Sequence, residues 1–332
     1  MTTPFKPKDL SQKEIMLAPG HRMCSGCGAA IVVKMVLLAV GKPVVACSPT
    51  GCLEVTTCIS DYTSWKIPWI HSAFENAAAT ISGVETMYRA LKKKGRINED
   101  IAFIVFGGDG GTYDIGLQSL SGAMERGHDM LYVCYDNGAY MNTGTQRSGA
   151  TPYGAATTTT PVGSVMIGKP QQRKNITQIM AAHNIPYVAQ ASPGFHMDLM
   201  RKVQKAMEIK GPKFLNILSP CHRGWRSKSD DAITLSRLAV NTCYWPLFEI
   251  EHGKTRITHT PNKKMPIEAF LKPQGRFGHF FQPGNEGMLR EIQHQLDEEW
   301  NDLLCLSRGR SKETEEQHVK TSSELDLLHL DM

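Results

Sequence analysis

The chain has 332 residues, 41% of them hydrophobic, which is enough for one large α/β domain or two smaller ones. Its formal net charge of +5 is spread along the sequence, which argues against a nucleic-acid-binding stripe. No apolar run reaches membrane-spanning length and residues 1–14 lack the apolar segment of a signal peptide, so we expect a cytoplasmic protein that binds neither nucleic acid nor membrane.

Cysteine is unusually frequent, with nine residues in a chain expected in the cytoplasm, where disulfides are rare. Clustered cysteines in such a chain favour metal binding or catalysis. Cys24 and Cys27 form a Cys-x-x-Cys pair in a glycine-rich loop that follows a polar arm, residues 1–19. Taken alone, this pair is compatible with a redox dithiol, half of a zinc site, or chance.

Predicted strands and helices alternate over most of the chain, which is typical of a mostly parallel sheet with helices on both faces. Apolar runs predict strands at residues 43–47, 101–106, 130–135, 186–190 and 213–218. Helical patterns predict helices at residues 29–40, 75–94, 175–184, 197–209 and 287–304. We therefore expect an α/β domain at residues 20–225, a mixed or helical C-terminal extension packed on it at 226–307, and a polar tail at 308–332.

The stretch from residue 107 to residue 146 carries a polar loop at the end of each of two predicted strands. The first loop contains Gly108, Asp109, Gly110 and Gly111, and the second begins at Asn137. Glycines let a phosphate approach backbone N–H groups closely. A carboxylate and an amide at neighbouring strand ends can share a small hard cation. The stretch therefore predicts a site for Mg²⁺ and a diphosphate.

Two further cysteines follow predicted strands, Cys52 and Cys221. Because the carboxyl ends of parallel strands lie along one edge of a sheet, we expect both cysteines near the diphosphate loops. With the Cys-x-x-Cys pair they make four candidate thiolates, which could hold zinc or an iron–sulfur cluster. Zinc sites more often pair two Cys-x-x-Cys elements, so the isolated positions favour a cluster slightly. His71, in an aromatic stretch, is as compatible with core packing as with a role at the site.

Gly-Asp-Gly followed about 28 residues later by Asn resembles the signature of thiamine diphosphate enzymes. The runs GDGGTYDIG and DNGAYMNTGTQRSGATP, together with CSGCG, PTGC and SPCHRGW, are similar to the β subunits of 2-oxoacid:ferredoxin oxidoreductases, most of all the pyruvate type. The resemblance covers residues 16–300 and implies the thiamine diphosphate-binding α/β fold.

The resemblance also implies the cofactor ligands. Mg²⁺ would be held by Asp109, Asn137 and the Ala139 carbonyl. A 4Fe–4S cluster would be held by Cys24, Cys27, Cys52 and Cys221. The residues expected to contact the cofactors are Thr50, Gly51, Cys52, His71, Gly108, Asp109, Gly110, Gly111, Asn137, Ala139, Met141, Asn142 and Thr143.

The implied reaction is the oxidative decarboxylation of a 2-oxoacid, with pyruvate favoured, to acyl-CoA and CO₂ with one-electron transfer to ferredoxin. No catalytic residue is assigned in this chain, because the glutamate that activates thiamine in this family comes from the partner α subunit. The expected partners are that α subunit, γ and ferredoxin-like δ subunits, ferredoxin, coenzyme A and the 2-oxoacid. Three alternatives remain: a subunit acting on another 2-oxoacid (branched-chain, aryl, 2-oxoglutarate or oxalate), a non-oxidative thiamine lyase with structural zinc, and a non-enzymatic four-cysteine scaffold.

Overall fold

The structure is a computed structural model, and it describes Leu10 and residues 12–59 and 61–309. Most of the predicted N-terminal arm and polar tail therefore lies outside the described residues. The strands are β1 Val44–Pro49, β2 Cys58–Ile59, β3 Tyr62–Thr63, β4 Trp69–Ser72, β5 Ala102–Gly108, β6 Leu131–Asp136, β7 Tyr187–Ala191, β8 Lys213–Leu218, β9 Leu247–Glu251 and β10 Lys254–His259. The α-helices are α1 Gly28–Val40, α2 Cys52–Thr57, α3 Ala77–Lys93, α4 Asp109–Tyr113, α5 Leu117–Glu125, α6 Ile176–Ala181, α7 His196–Glu208, α8 His222–Trp225, α9 Ala232–Asn241, α10 Glu268–Leu271 and α11 Glu286–Ser307. Short 3₁₀ turns lie at Pro193–Phe195 and Gly275–Phe281.

One eight-stranded sheet organises the fold, in the order β10-β9-β7-β8-β6-β5-β1-β4. The six strands from β7 to β4 are parallel, and β9 joins β7 antiparallel, as β10 joins β9. The short strands β2 and β3 form a separate hairpin. The predicted mostly parallel α/β architecture is confirmed.

Strands β9 and β10 lie in the segment that the sequence predicts only as mixed structure. The apolar pattern of β9 is interrupted by Glu249, whose side chain is buried. It accepts hydrogen bonds from Tyr187 Oη at 2.8 Å, Lys205 Nζ at 2.8 Å and Arg256 Nη2 at 2.5 Å. A charge that is buried because distant partners satisfy it cannot be recognised from local sequence, so the two strands were missed.

Helices cover both faces of the sheet. On one face α1 and α7 pack against strand residues such as Ile104 and Val133. On the other face α3, α5 and α6 pack against the alternate residues, among them Val105 and Cys134. This alternation follows from the two-residue period of a strand. Burial on both faces explains why the central strands read as continuous apolar runs.

The carboxyl ends of the central strands are brought together by their register. Gly108 at the end of β5 pairs with Tyr135 of β6, and Asp136 pairs with Leu218 at the end of β8. The chain enters α4 directly after Gly108, so the predicted glycine loop is split between the end of a strand and a short helix. The segments after β1, β5, β6 and β8 consequently start from one edge of the sheet.

The long segment between β6 and α6 contains no helix or strand, yet it is held by internal bonds. Lys169, which is buried, donates from Nζ to Thr151 O at 2.6 Å. Gly154 N donates to Lys169 O at 2.7 Å. Burial lowers the pKa of the Lys169 ammonium to about 8. These contacts tie the two halves of the segment to each other instead of leaving it extended.

None of the helices in the described part of the chain combines the length and apolar character needed to cross a membrane.

Candidate active site

The ends of β1, β5 and β6 open into one cleft. Every residue predicted to contact the cofactors lines this cleft except His71. His71 is exposed and contacts the lining through Thr50, with Nε2 at 3.1 Å from Thr50 Oγ1. The cleft is also lined by three aromatic residues that the sequence did not single out: Phe74, Tyr135 and Tyr140.

Three oxygens converge in the cleft, from Asp109, Asn137 and Ala139. The side-chain oxygen of Asn137 lies 2.9 Å from Ala139 O and 2.9 Å from Asp109 Oδ1. Oxygens in this arrangement repel one another unless a cation lies among them or the amide turns its nitrogen towards the other two. In an octahedral site with metal–oxygen bonds of about 2.0–2.1 Å, adjacent ligand oxygens lie about 2.9 Å apart. The three groups therefore fit a small divalent cation.

Asp109, which supplies one of the three converging oxygens, is almost completely buried. Its Oδ2 accepts a hydrogen bond from Ser148 Oγ at 2.5 Å, and its Oδ1 accepts one from the backbone N–H of Asn137 at 3.3 Å. Burial raises the pKa of the Asp109 carboxyl well above its usual value, and the Asp136 carboxylate raises it further, while Ser148 and the Asn137 amide act in the opposite direction. A bound cation would compensate the buried charge.

The charge of a second buried carboxylate, Asp136, is compensated by the Arg173 guanidinium. Its Oδ2 accepts hydrogen bonds from Arg173 Nη2 at 2.5 Å and from Tyr113 Oη, and its Oδ1 accepts the Gly138 amide at 3.1 Å. The guanidinium of Arg173 also lies over the Trp245 ring, 4.8 Å from its centroid. The sequence analysis missed Arg173, because it lies at the far end of the long segment after β6 and has no local pattern around it.

The glycines of the first loop are required by their neighbours as well as by a ligand. A Cβ at Gly110 would lie 2.3 Å from the Tyr140 ring, and one at Gly111 would lie 3.2 Å from Phe74 O. Tyr140 Oη donates to Gly110 O at 2.9 Å, and its ring centroid lies 5.9 Å from that of Phe74. The aromatic pair therefore packs against the glycine backbone, and the same glycines line the cleft.

Two loops carry cysteines beside the cleft: the N-terminal cysteine loop (residues 24–28) and the C-terminal cysteine loop (residues 219–229). Gly28 N donates to Pro220 O at 3.1 Å. A Cβ at Gly28 would lie 2.7 Å from Pro220 N, and one at Gly26 would lie 1.7 Å from Ser229 O. The two loops thus touch through their backbones at positions where only glycine fits.

The thiols of these loops and of Cys52 interact electrostatically. Burial raises the pKa of the Cys52 thiol to about 12, with Cys221, Cys27 and Cys24 contributing in the same direction. Burial likewise raises the pKa of Cys27 and of Cys221. Backbone amides oppose this effect, those of Ala29 and Ala30 at Cys27 and those of Arg223 and Gly224 at Cys221. Buried thiols with raised pKa values ionise readily only when a metal supplies positive charge.

Polar atoms without partners are concentrated in the same region. Five buried side-chain atoms of the described residues lack a hydrogen-bond partner, and three of them belong to His21, His222 and Ser227. Buried polar atoms normally have a partner, so the two cysteine loops are suited to enclosing a further polar group. Among the described residues, no three histidine, cysteine, aspartate or glutamate side chains surround a single ion position.

Comparison with known proteins identifies the family. Residues 49–217 match the family model described as thiamine pyrophosphate enzyme, C-terminal TPP binding domain. The chain is 54% identical over 306 residues to pyruvate synthase subunit PorB of Thermotoga maritima, with 90% of this chain and 94% of that one covered. The chain belongs to the β subunits of the 2-oxoacid:ferredoxin oxidoreductases. The resemblance predicted from the motifs is thereby confirmed, as are the oxidoreductase class and thiamine diphosphate as a cofactor.

Other relatives of this β subunit differ in the substrate that they are named for. It is 45% identical over 291 residues to ketoisovalerate oxidoreductase subunit VorB of Pyrococcus abyssi, with 87% of this chain and 92% of that one covered. It shares its fold, at a TM-score of 0.52 and 24% identity, with a 2-oxoglutarate:ferredoxin oxidoreductase from Magnetococcus marinus solved with 2-oxoglutarate, coenzyme A and succinyl-CoA bound. That match covers 70% of this chain and 80% of the other.

Proposed function

We propose that this β subunit holds Mg²⁺–thiamine diphosphate and a 4Fe–4S cluster side by side, and takes part in the oxidative decarboxylation of pyruvate to acetyl-CoA and CO₂ with electron transfer to ferredoxin. The observation that carries the proposal concerns Cys52. It lines the cleft of the three converging oxygens, and the pKa of its thiol also responds to Cys24, Cys27 and Cys221. Both observations support a diphosphate site and a four-thiol site that would share this residue.

The cleft residues would hold the first cofactor. Asp109, Asn137 and the Ala139 carbonyl would bind Mg²⁺, and the 2.9 Å distances from the Asn137 oxygen to the other two oxygens support an octahedral site. The diphosphate would lie along the backbone of Gly108, Gly110 and Gly111 and the polar residues Asn142 and Thr143. Thr50, Gly51 and Met141 complete the walls, with His71 supporting Thr50. Thiamine diphosphate, when bound, supplies the electron sink that the loss of CO₂ from a 2-oxoacid requires.

The cysteine loops would hold the second cofactor through Cys24, Cys27, Cys52 and Cys221. The raised pKa of the buried thiols and the unpartnered polar atoms around them support a charged, polar group in this place. The backbone amides of Ala29 and Ala30 at Cys27, and of Arg223 and Gly224 at Cys221, are of the kind that adjust the potentials of clusters.

Pyruvate is the proposed substrate because the identity to the pyruvate synthase subunit, 54%, exceeds that to the ketoisovalerate enzyme, 45%. Both relatives are named as subunits, which supports a complex in which an α subunit completes the active site and γ and ferredoxin-like δ subunits pass electrons on. We place the complex in the cytoplasm, because Cys24, Cys27, Cys52 and Cys221 are reduced thiols, and such thiols persist in reducing compartments.

Anaerobic affinity purification with substrate profiling tests the proposal. The tagged chain should co-purify with further subunits, and the complex should reduce ferredoxin fastest with pyruvate and coenzyme A. The chain purified alone should not oxidise pyruvate. Preference for a branched-chain 2-oxoacid would overturn the substrate, full activity of the isolated chain would overturn the shared active site, and CO₂ release without ferredoxin reduction would indicate a non-oxidative lyase.

A further inference from the structure

Trp225 connects the two proposed cofactor sites. It ends α8 in the C-terminal cysteine loop and is 1% exposed. Its backbone N–H donates to Cys221 O at 2.8 Å. Its indole Nε1 donates to Asn137 O at 2.6 Å. One residue thus bonds both to a cysteine of the proposed cluster site and to the loop after β6, which presents two of the three converging oxygens, those of Asn137 and Ala139.

The peptide between Asn137 and Gly138 is fixed from both sides. Its carbonyl oxygen accepts the Trp225 indole, and its N–H donates to Asp136 Oδ1 at 3.1 Å. Gly138 has a φ of +77°, and a Cβ there would lie 3.0 Å from an Arg276 guanidinium nitrogen. That guanidinium covers the Trp225 ring, 4.2 Å from its centroid. Rotation of this peptide would move the Asn137 side chain on one side and the Ala139 carbonyl on the other.

We propose that Trp225 is a positioning residue that couples cluster binding to Mg²⁺–diphosphate binding. Ligation of Cys221 fixes the short helix α8, α8 fixes the indole, and the indole fixes the carbonyl of Asn137. The inference rests on the proposed function, since it requires both cofactors. Its mechanism is the hydrogen bond and not the bulk of the ring, because loss of the donor would leave a buried carbonyl without this partner.

Trp225→Phe removes the indole donor and keeps an aromatic ring. Two matched variants separate this effect from general loosening of the core. Trp65→Phe also removes a buried indole hydrogen bond, in this case the 2.9 Å bond to Thr57 Oγ1. Phe270→Leu disturbs the packing of Trp225, whose ring meets Phe270 edge-on with centroids 6.0 Å apart, but keeps the indole donor.

The experiment is calorimetric titration of Mg²⁺ and thiamine diphosphate into the anaerobically purified full-length chain with its co-purifying subunits, after removal of bound cofactor. We expect about tenfold weaker binding in W225F, equivalent to about 1.4 kcal/mol, and changes of no more than about twofold in W65F and F270L. Unchanged binding in W225F, or equal weakening in F270L, would overturn the proposal.

The coupling is measured by repeating the titration in a C24S/C27S background, which lacks the cluster. Loss of the cluster should weaken the binding of Mg²⁺ and thiamine diphosphate when residue 225 is tryptophan, and should change this binding little in W225F. The effects of the two changes on the binding free energy should therefore not be additive. Additive effects would overturn the coupling. If the wild-type chain contains no iron, the proposed cluster is wrong and so is the coupling. The W225F comparison would still test the Trp225–Asn137 contact by itself.

Discussion

Replacing Gly28 by alanine tests how the two cysteine loops are held together. Gly28 begins α1 next to Cys27 and donates its amide to Pro220 O. An added Cβ would lie 2.7 Å from Pro220 N, 2.8 Å from Pro220 O and 2.9 Å from Ser219 C, all of them backbone atoms. Ordinary contact begins at 3.4 Å, so the two backbones must separate by about 0.7 Å. Overpacking of this kind costs about 1–3 kcal/mol.

The assay for Gly28→Ala combines thermal unfolding with the iron content of the anaerobic complex. We expect the melting temperature to fall by a few degrees, at about 2–4 °C per kcal/mol, and the iron content to fall, because Cys27 and Cys221 move apart. Gly83→Ala is the matched control: it lies on α3 with nothing within 4 Å of the added Cβ, so stability should hold or rise slightly. Full iron content and unchanged stability in Gly28→Ala would refute the backbone contact as the element that positions the cysteines.

Three further predictions concern the cleft and the cysteines. Asp109→Asn should abolish Mg²⁺-dependent thiamine diphosphate binding in calorimetry yet raise the melting temperature of the cation-free chain, because it removes a buried charge; tight binding by this variant would refute the ligand assignment. Because the pKa of Asp109 in the folded chain is raised above its unfolded value, the carboxyl favours the folded state at low pH, and this contribution is lost as the pH rises through the raised pKa. The same raised pKa means that protons compete with Mg²⁺ for the Asp109 carboxylate, so the affinity for Mg²⁺ should decrease as the pH is lowered. An affinity that does not change with pH would contradict the raised pKa. Cys221→Ser should impair ferredoxin reduction by the complex while thiamine diphosphate still binds, and normal electron transfer would show that Cys221 is not a ligand.

Local sequence patterns predicted the residues of the cleft because the chemistry is concentrated at strand ends. Once β5 and β6 were recognised as parallel neighbours, Asp109 and Asn137 had to lie at one edge, and the structure places the Asn137 oxygen 2.9 Å from Asp109 Oδ1. His71, for which contact with a cofactor stays a prediction, is not part of the cleft lining and contacts Thr50 through its Nε2. Strand order alone could not distinguish a side chain that lines the cleft from one that supports the lining.

The supporting residues could not be predicted, because their partners are distant in sequence. Ser148 donates to Asp109 across 39 positions, Arg173 to Asp136 across 37, and Trp225 to Asn137 across 88. Each lies in an irregular segment or a single helical turn without hydrophobic periodicity. Their roles follow from the way the long segment after β6 and the C-terminal cysteine loop fold back onto the sheet edge, which depends on packing throughout the domain.

The iron content assigned to this chain tests the central claim most directly. The complex with wild-type chain is compared with a complex in which Cys24 and Cys27 are both serine, so that clusters on other subunits cancel. The account predicts a loss of about four iron atoms per chain, the content of one 4Fe–4S cluster, together with loss of pyruvate-dependent ferredoxin reduction. Equal iron in the two complexes, or the loss of a single zinc ion in place of iron, would contradict it.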